Sequence, residues 1–293
     1  MTPATTSAEQ VEASARSQNR SASSNWRSIT PGPAQIDPRG YARRRRLLER
    51  GLAVLVPVAL LGVWQVLAMR GVLDDNYFPA PTTIGSAWLD MIDRGFYQES
   101  VVASLRRIVT GYVLGTVSAM ALGLLIGWSR LLVAALEPTI AALYTIPKLA
   151  ILPLLLLIFG LGESSKVLLV ALTCFFVVLI NTIDAVASVS PRYLDVARSC
   201  GASTLATMWH ITLPAALPQI LTGMRVASGL AVIVIVGAEF VAADAGLGFM
   251  VWNSWNLGVP EYMYVGIVSI SLIGVLASLA LRGLERLLTP WRR

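Results

Sequence analysis

Cysteine occurs twice in 293 residues, at Cys174 and Cys200, and histidine once, at His210. Two thiols are too few for a disulfide framework or a thiolate zinc site. A single imidazole leaves no second ligand for a His-based metal cluster and makes a hydrolytic triad hard to assemble. No metal site and no catalytic residue is therefore expected. Charge is scarce as well: 14% of residues are Asp, Glu, Lys or Arg, against about 25% in a soluble domain. The apolar share is 55% and mean hydropathy is +0.67. Together these exclude a soluble enzyme, a secreted disulfide module and a disordered regulator.

What the chain has instead is long apolar runs separated by short polar breaks. About 20 residues span roughly 30 Å of hydrocarbon, which places helices near 51–69, 105–128, 131–158, 166–189, 215–243 and 264–284. The expected class is an all-α polytopic membrane protein with six transmembrane helices. Residues 1–46 differ: they are rich in Ser, Ala, Thr, Pro, Gln and Asn and end in the run Arg43 to Arg46. They are read as a disordered cytoplasmic tail, not as a cleavable signal peptide. The remaining organisation is read as a first helix and outer connection over 47–99, a five-helix core over 100–284 with an elbow at 190–210, and a C-terminal tail at 285–293.

Orientation follows from the basic residues flanking the spans. With the N-terminus inside, Arg39, Arg43, Arg44, Arg45, Arg46, Arg50, Arg130, Arg192, Arg198, Arg282, Arg286, Arg292 and Arg293 fall inside; Arg70, Arg94, Arg106, Arg107 and Lys166 fall outside. This thirteen-to-five bias puts both termini in the cytoplasm. It also accounts for the net charge of +6 through anionic membrane lipid, without nucleic acid.

Within the second span, Gly111, Gly115, Ala119, Gly123 and Gly127 recur every four residues, a small-residue stripe on one helix face. Such stripes let membrane helices approach closely, either within one subunit or along a pathway wall or dimer seam. The segment Gly160-Leu161-Gly162-Glu163-Ser164-Ser165-Lys166 has the flavour of a phosphate loop. It lacks the second glycine, the hydroxyl after lysine and a preceding strand, so a turn between helices is the better reading. Arg225, about 15 Å into the fifth span, could stabilise an anion in a pathway or pair with Glu137, Asp184 or a carbonyl. Glu239 lies some 21 Å further along that helix and reads as a packing or gate residue. Both are candidate pathway residues. Lys148 follows Pro147, where the helix must break and free carbonyls that a cation can satisfy.

One polar loop has a clear grammar. Ser190 is a candidate N-cap, Pro191 stands at the first helical position, and Gly201 occupies a left-handed C-terminal position. Ser203 could cap a second short helix carrying Leu205, Met208 and Trp209, and Ile211-Thr212-Leu213-Pro214 leads back into the membrane. The series Asp195-Val196-Ala197, Gly201 and Ile211-x-Leu213-Pro214 resembles the cytoplasmic signature of ATP-binding-cassette (ABC) importer permeases. That signature runs Glu-Ala-Ala, three residues, Gly, nine residues, Ile-x-Leu-Pro; here Asp195 and Val196 are the departures. Pro79-x-Pro81, Tyr144-x-Ile146-Pro147, Phe159-Gly160-x-Gly162-Glu163, Gly223-x-Arg225, Ala238-Glu239 and Gly246-Leu247-Gly248 extend the likeness, which resembles the nitrate, sulfonate and taurine branch.

The resemblance implies a type I ABC importer permease fold in a bacterial inner membrane. It implies Pro191, Tyr193, Leu194, Asp195, Ala197, Gly201, Ala202, Ile211, Leu213 and Pro214 as the coupling segment seated on a separate ATPase subunit. Two ATPase subunits, a second permease copy and a periplasmic or lipid-anchored substrate-binding protein complete the assembly. ATP is bound by the partner, and this chain needs no cofactor. The substrate class it implies is a small anion, taurine or an alkanesulfonate foremost, with nitrate, bicarbonate, a pyrimidine precursor or an aromatic acid as alternatives. An ion-coupled secondary transporter is the distant alternative, disfavoured by the lack of a clear internal repeat.

Overall fold

The structure is a computed structural model that describes residues 38–292. Among the described residues every regular element is helical. The chain divides into two units, one ending at Val63 and one beginning at Trp64. The first helix, α1 (Pro38–Met69), crosses this boundary; residues 1–37 of the expected tail lie outside the described residues, and Arg43 to Arg46 fall within α1.

From Trp64 onward the elements are α2 (Pro81–Asp93), α3 (Phe96–Trp128), α4 (Arg130–Thr145), a 3-10 turn (Lys148–Ile151), α5 (Leu152–Phe159) and α6 (Glu163–Ala187). They continue with α7 (Pro191–Ser199), α8 (Thr204–Thr207), a π-turn (Met208–Thr212), α9 (Leu213–Ala242), α10 (Leu247–Asn256) and α11 (Pro260–Leu288). Among the described residues, five stretches are long and apolar enough to cross a membrane: Leu47–Met69, Phe96–Trp128, Glu163–Ala187, Thr204–Ala242 and Pro260–Leu288.

The helix expected over 131–158 is broken. Arg130–Thr145 and Lys148–Phe159 meet at 81°, so the count reaches six only if this bent pair makes one crossing. The cause is local. Pro147 has no N–H to donate and excludes the helical region for the residue before it; Ile146 accordingly adopts φ −64°, ψ 125°. Two short helices, α2 and α10, were not expected, because a search for 20-residue apolar runs passes over 10- to 13-residue amphipathic segments.

The stripe on α3 resolves to packing within the subunit. A methyl group on Gly111 would lie 2.7 Å from the Val167 carbonyl oxygen and Val170 Cβ, and one on Gly123 would lie 2.6 Å from Thr182 Cβ. On Gly115 it would collide with the Ala171 carbonyl oxygen. Ala119, fully buried, completes the seam. Here α3 and α6 approach at backbone distance, which substitutes close van der Waals contact for the hydrophobic drive that lipid cannot supply. Around this seam, Leu169, Cys174 and Val178 of α6 pack with Ala227, Ala231 and Ile235 of α9 to form the main core.

A second cluster joins α2, α10 and α11 through Ile84, Met91, Leu247, Met250 and Val265. Polar ties reinforce it. Gln65 and Thr82 exchange two hydrogen bonds of 3.0 and 3.1 Å, and Tyr262 donates to Asp90 at 2.6 Å. That hydroxyl, with Arg94 beside it, holds the Asp90 carboxyl below the usual carboxylate range. A lowered pKa means the tie is present at neutral pH and is lost only as pH falls into the acid range.

Gly115→Leu should therefore abolish recovery of folded protein, since the seam has no room for overpacking. Gly85→Ala on α2, where a methyl group meets nothing within 4 Å, should leave it unchanged. Thermal unfolding and size-exclusion profiles in detergent read both; a monodisperse Gly115→Leu protein with unaltered unfolding temperature would contradict the packing.

Candidate functional site

The elbow forms as its residues dictate. Pro191 opens α7 with its missing N–H where no partner exists in any case. Ser190 stands at the N-cap position but makes no side-chain cap bond. At the other end Gly201 takes φ +72°. The Ala202 N–H bonds the Ala197 carbonyl and the Gly201 N–H bonds the Arg198 carbonyl, each at 3.0 Å. This six-to-one and five-to-two pair is a Schellman motif. Ser203 caps the next turn, accepting from the Ala206 N–H at 3.2 Å.

Burial sorts the elbow into two faces. Ala197 is buried and Leu194 is partly covered, whereas Pro191, Tyr193, Asp195, Val196 and Ala202 are exposed. Leu205 and Trp209 add exposed apolar surface beside them. Asp195 meets Arg198 at 3.4 Å, with both side chains open to solvent, so its carboxylate is available to an outside partner. Ile211, Leu213 and Pro214 are partly covered where the π-turn passes into α9. His210 is exposed and its Nδ1 lies 3.0 Å from the Ala206 carbonyl oxygen. A cleft of about 700 Å³, lined by Trp128, Arg130, Glu137, Leu194 and Arg198 among others, separates α7 from the α3–α4 turn.

At the opposite end of the bundle is a buried ion network that the sequence reading missed. Arg107 donates to Glu163 through Nε at 2.7 Å and Nη2 at 2.6 Å. Its Nη1 donates to Glu239 at 2.7 Å and to the Ala245 carbonyl at 2.6 Å. Glu239, with no exposed surface, also accepts from Ser104 Oγ at 2.8 Å and from the Gly248 N–H at 2.8 Å. Ser104 Oγ in turn accepts from the Leu247 N–H at 2.8 Å. Ser104 and Glu239 thus cap α10 from neighbouring helices. Lys166 spends its ammonium on the Ala242 carbonyl at 2.8 Å and the Leu161 carbonyl at 3.1 Å, which removes it from any phosphate role.

Arg107 and Lys166 entered the sequence reading as loop charges; the spacing between them and Glu239 gives no pairing signal, because the three come together only in the fold. Arg225, the other candidate pathway residue, pairs with Glu285 of α11 at 3.2 Å, a partner not among those considered. Lys148 fills the role its neighbours suggested: it donates to the carbonyls of Leu143, Tyr144 and Ile146 at 2.8, 3.0 and 2.9 Å. Its ammonium lies 4.6 Å from the Phe176 ring centre.

The chain has counterparts among known proteins. Residues 111–293, more than half the chain, match the model of binding-protein-dependent transport system inner membrane components. The chain belongs to that family. An aliphatic sulfonates transport permease protein, SsuC, of Bacillus subtilis is 34% identical over 85% of this chain and 90% of its own length. The taurine transport system permease protein TauC of Escherichia coli is 34% identical over 82% of this chain and 89% of its own. The nitrate import permease protein NrtB of Leptolyngbya laminosa is 32% identical over 79% and 84%. An inward-facing structure of the MetNI methionine ABC transporter superposes with a TM-score of 0.61 at 17% identity, covering 67% of this chain and 97% of that one; this likeness shows the fold.

Membership in this permease family makes the chain a transport subunit and not an enzyme. It implies an ATPase partner and a substrate-binding protein in general terms.

Removing Arg107 leaves the buried Glu239 carboxylate without a cation, which costs about 3–5 kcal/mol, whereas removing Glu239 leaves Arg107 its pair with Glu163. Arg107→Met should therefore lower the unfolding temperature sharply, Glu239→Gln less so, and the double variant should recover part of the Arg107→Met loss. Additive losses in a double-mutant cycle would show that the pair is not coupled.

Proposed function

We propose that this family member forms the translocation pathway of an ATP-driven importer for a small anion, taurine or an alkanesulfonate foremost. The observation that carries the transport reading is the elbow, doubly capped and presenting Tyr193, Asp195 and Val196 outward. A membrane protein with short loops gains nothing from an ordered, partly apolar knob unless a partner covers it. Pro191, Tyr193, Leu194, Asp195, Ala197, Gly201, Ala202, Ile211, Leu213 and Pro214 are the coupling segment, seated on the ATPase subunit that binds ATP.

The assembly pairs two copies of this chain with two ATPase subunits and receives substrate from a periplasmic or lipid-anchored binding protein. It sits in a bacterial inner membrane, six times across, with both termini and the elbow in the cytoplasm. The thirteen-to-five distribution of flanking basic residues supports that direction, as does their preference for anionic lipid. The substrate reading draws on the sulfonate and taurine relatives; the nitrate relative keeps nitrate as the specific second reading. ATP binding would close the motor subunits and rock the elbows, switching the bundle between two arrangements.

Gly201 supplies the sharpest test. A side chain there meets nothing within 4 Å but must adopt φ +72°, so a β-branched residue strains the elbow without touching the bundle. Gly201→Val should insert normally and abolish ATP-driven uptake of taurine and ethanesulfonate into proteoliposomes holding the complete importer. Uptake equal to wild type would remove the coupling assignment.

A further inference from the structure

The break between α4 and α5 holds a charged side chain at a depth where lipid tolerates none. Lys148 stacks its ammonium on Phe176, which is thirteen residues past Glu163 and eleven before Ala187 on α6, about 20 and 17 Å from the two ends of that span. The ammonium is therefore near mid-depth. A charge there costs about 2.5–3.5 kcal/mol on insertion scales, and such groups face protein or water. Non-helical backbone at this depth obeys the same rule.

The break is nonetheless partly open: Tyr144, Ile146 and Leu149 are each more than 40% exposed, although Leu149 also lies against Gly237 of α9, and α4 has no buried residue. Lipid cannot cover a flank that carries an ammonium and a run of interrupted backbone. Among the described residues no carboxylate pairs with Lys148; its three donors rest on three carbonyls, which hold the ammonium in place and leave its full positive charge. An anion arriving at that charge replaces one carbonyl acceptor by an ionised one and adds ion–ion attraction to a bond the ammonium already strengthens.

We propose that the Thr145–Lys148 break lines the water-filled pathway and that Lys148 is a specificity-determining contact for the oxyanion group of the substrate, sulfonate or nitrate. This rests on the reading of the chain as an anion importer and adds to it the residue that meets the anion within the membrane. Arg225 differs in having a carboxylate partner, Glu285. Lys148 stands where a discontinuous membrane helix places its ion-binding groups.

Two measurements on the complete importer in proteoliposomes decide it. The first is accessibility: Lys148→Cys, made in a Cys174→Ala, Cys200→Ala background, should react with the anionic reagent sulfonatoethyl methanethiosulfonate added in water. No reaction in either the ATP-free or the ATP-bound state would place the residue against lipid or protein and overturn the proposal, whatever is transported. The second is charge. Lys148→Gln keeps two N–H donors for the carbonyls but loses the charge, Lys148→Arg keeps both, and Lys148→Met loses both. The KM for ATP-driven uptake should rise at least about tenfold in the Gln and Met variants and stay within about threefold in the Arg variant, a tenfold change being one charge-assisted contact of about 1.4 kcal/mol. A Gln variant matching wild type while Met fails would make Lys148 a backbone cap only and overturn the anion contact. Wild-type uptake of none of taurine, ethanesulfonate and nitrate would fail the sulfonate and nitrate substrate reading, and the accessibility result would still stand or fall on its own.

Discussion

Every polar group that enters hydrocarbon must find its partner inside the protein, and this constraint organises the whole bundle. Arg107 shows it most fully. One guanidinium joins Glu163 at the start of α6, Glu239 near the end of α9 and the Ala245 carbonyl of the following turn. Ser104, one turn before Arg107 on α3, and Glu239 then supply the caps for α10. Four helices are fixed at one end by a handful of bonds centred on the buried pair of Arg107 and Glu239. Lys166 and Lys148 obey the same rule in simpler form, each capping carbonyls that a helix end leaves without donors.

The opposite end is built on a different principle. The elbow depends on local caps and on one left-handed glycine, and its outward face is exposed. The order of that outward face comes from its own backbone bonds and not from burial. Between the two ends runs the seam of α3 and α6, where glycines remove the side chains that would hold the helices apart.

Much of the elbow was legible beforehand. Pro191, Gly201 and Ser203 each act through the backbone within a few residues of themselves, and such short-range chemistry is written in the sequence. The side-chain cap expected of Ser190 is the exception. The break at Pro147 was legible in the same way, though not its 81° angle, which depends on how α5 packs. Pairings of long range were not legible. Arg107 and Glu239 lie 132 residues apart, and Arg225 and Glu285 lie 60 apart; no local pattern selects one carboxylate from several. The short helices α2 and α10 escaped for a related reason: they hold their place through contacts with α11 and not through apolar length.

The sequence by itself determined that the chain lives in a membrane, where its long apolar runs lie, which segment makes the elbow and to which branch of transporters it is akin. Hydropathy, proline and glycine act locally, and their consequences do not wait for the fold. Only the tertiary structure decided which face of α3 meets α6, which charges neutralise one another and which aromatic ring the Lys148 ammonium rests on. Those outcomes depend on distances between residues remote in the chain, and burial makes them matter by removing the water that would otherwise satisfy each group alone.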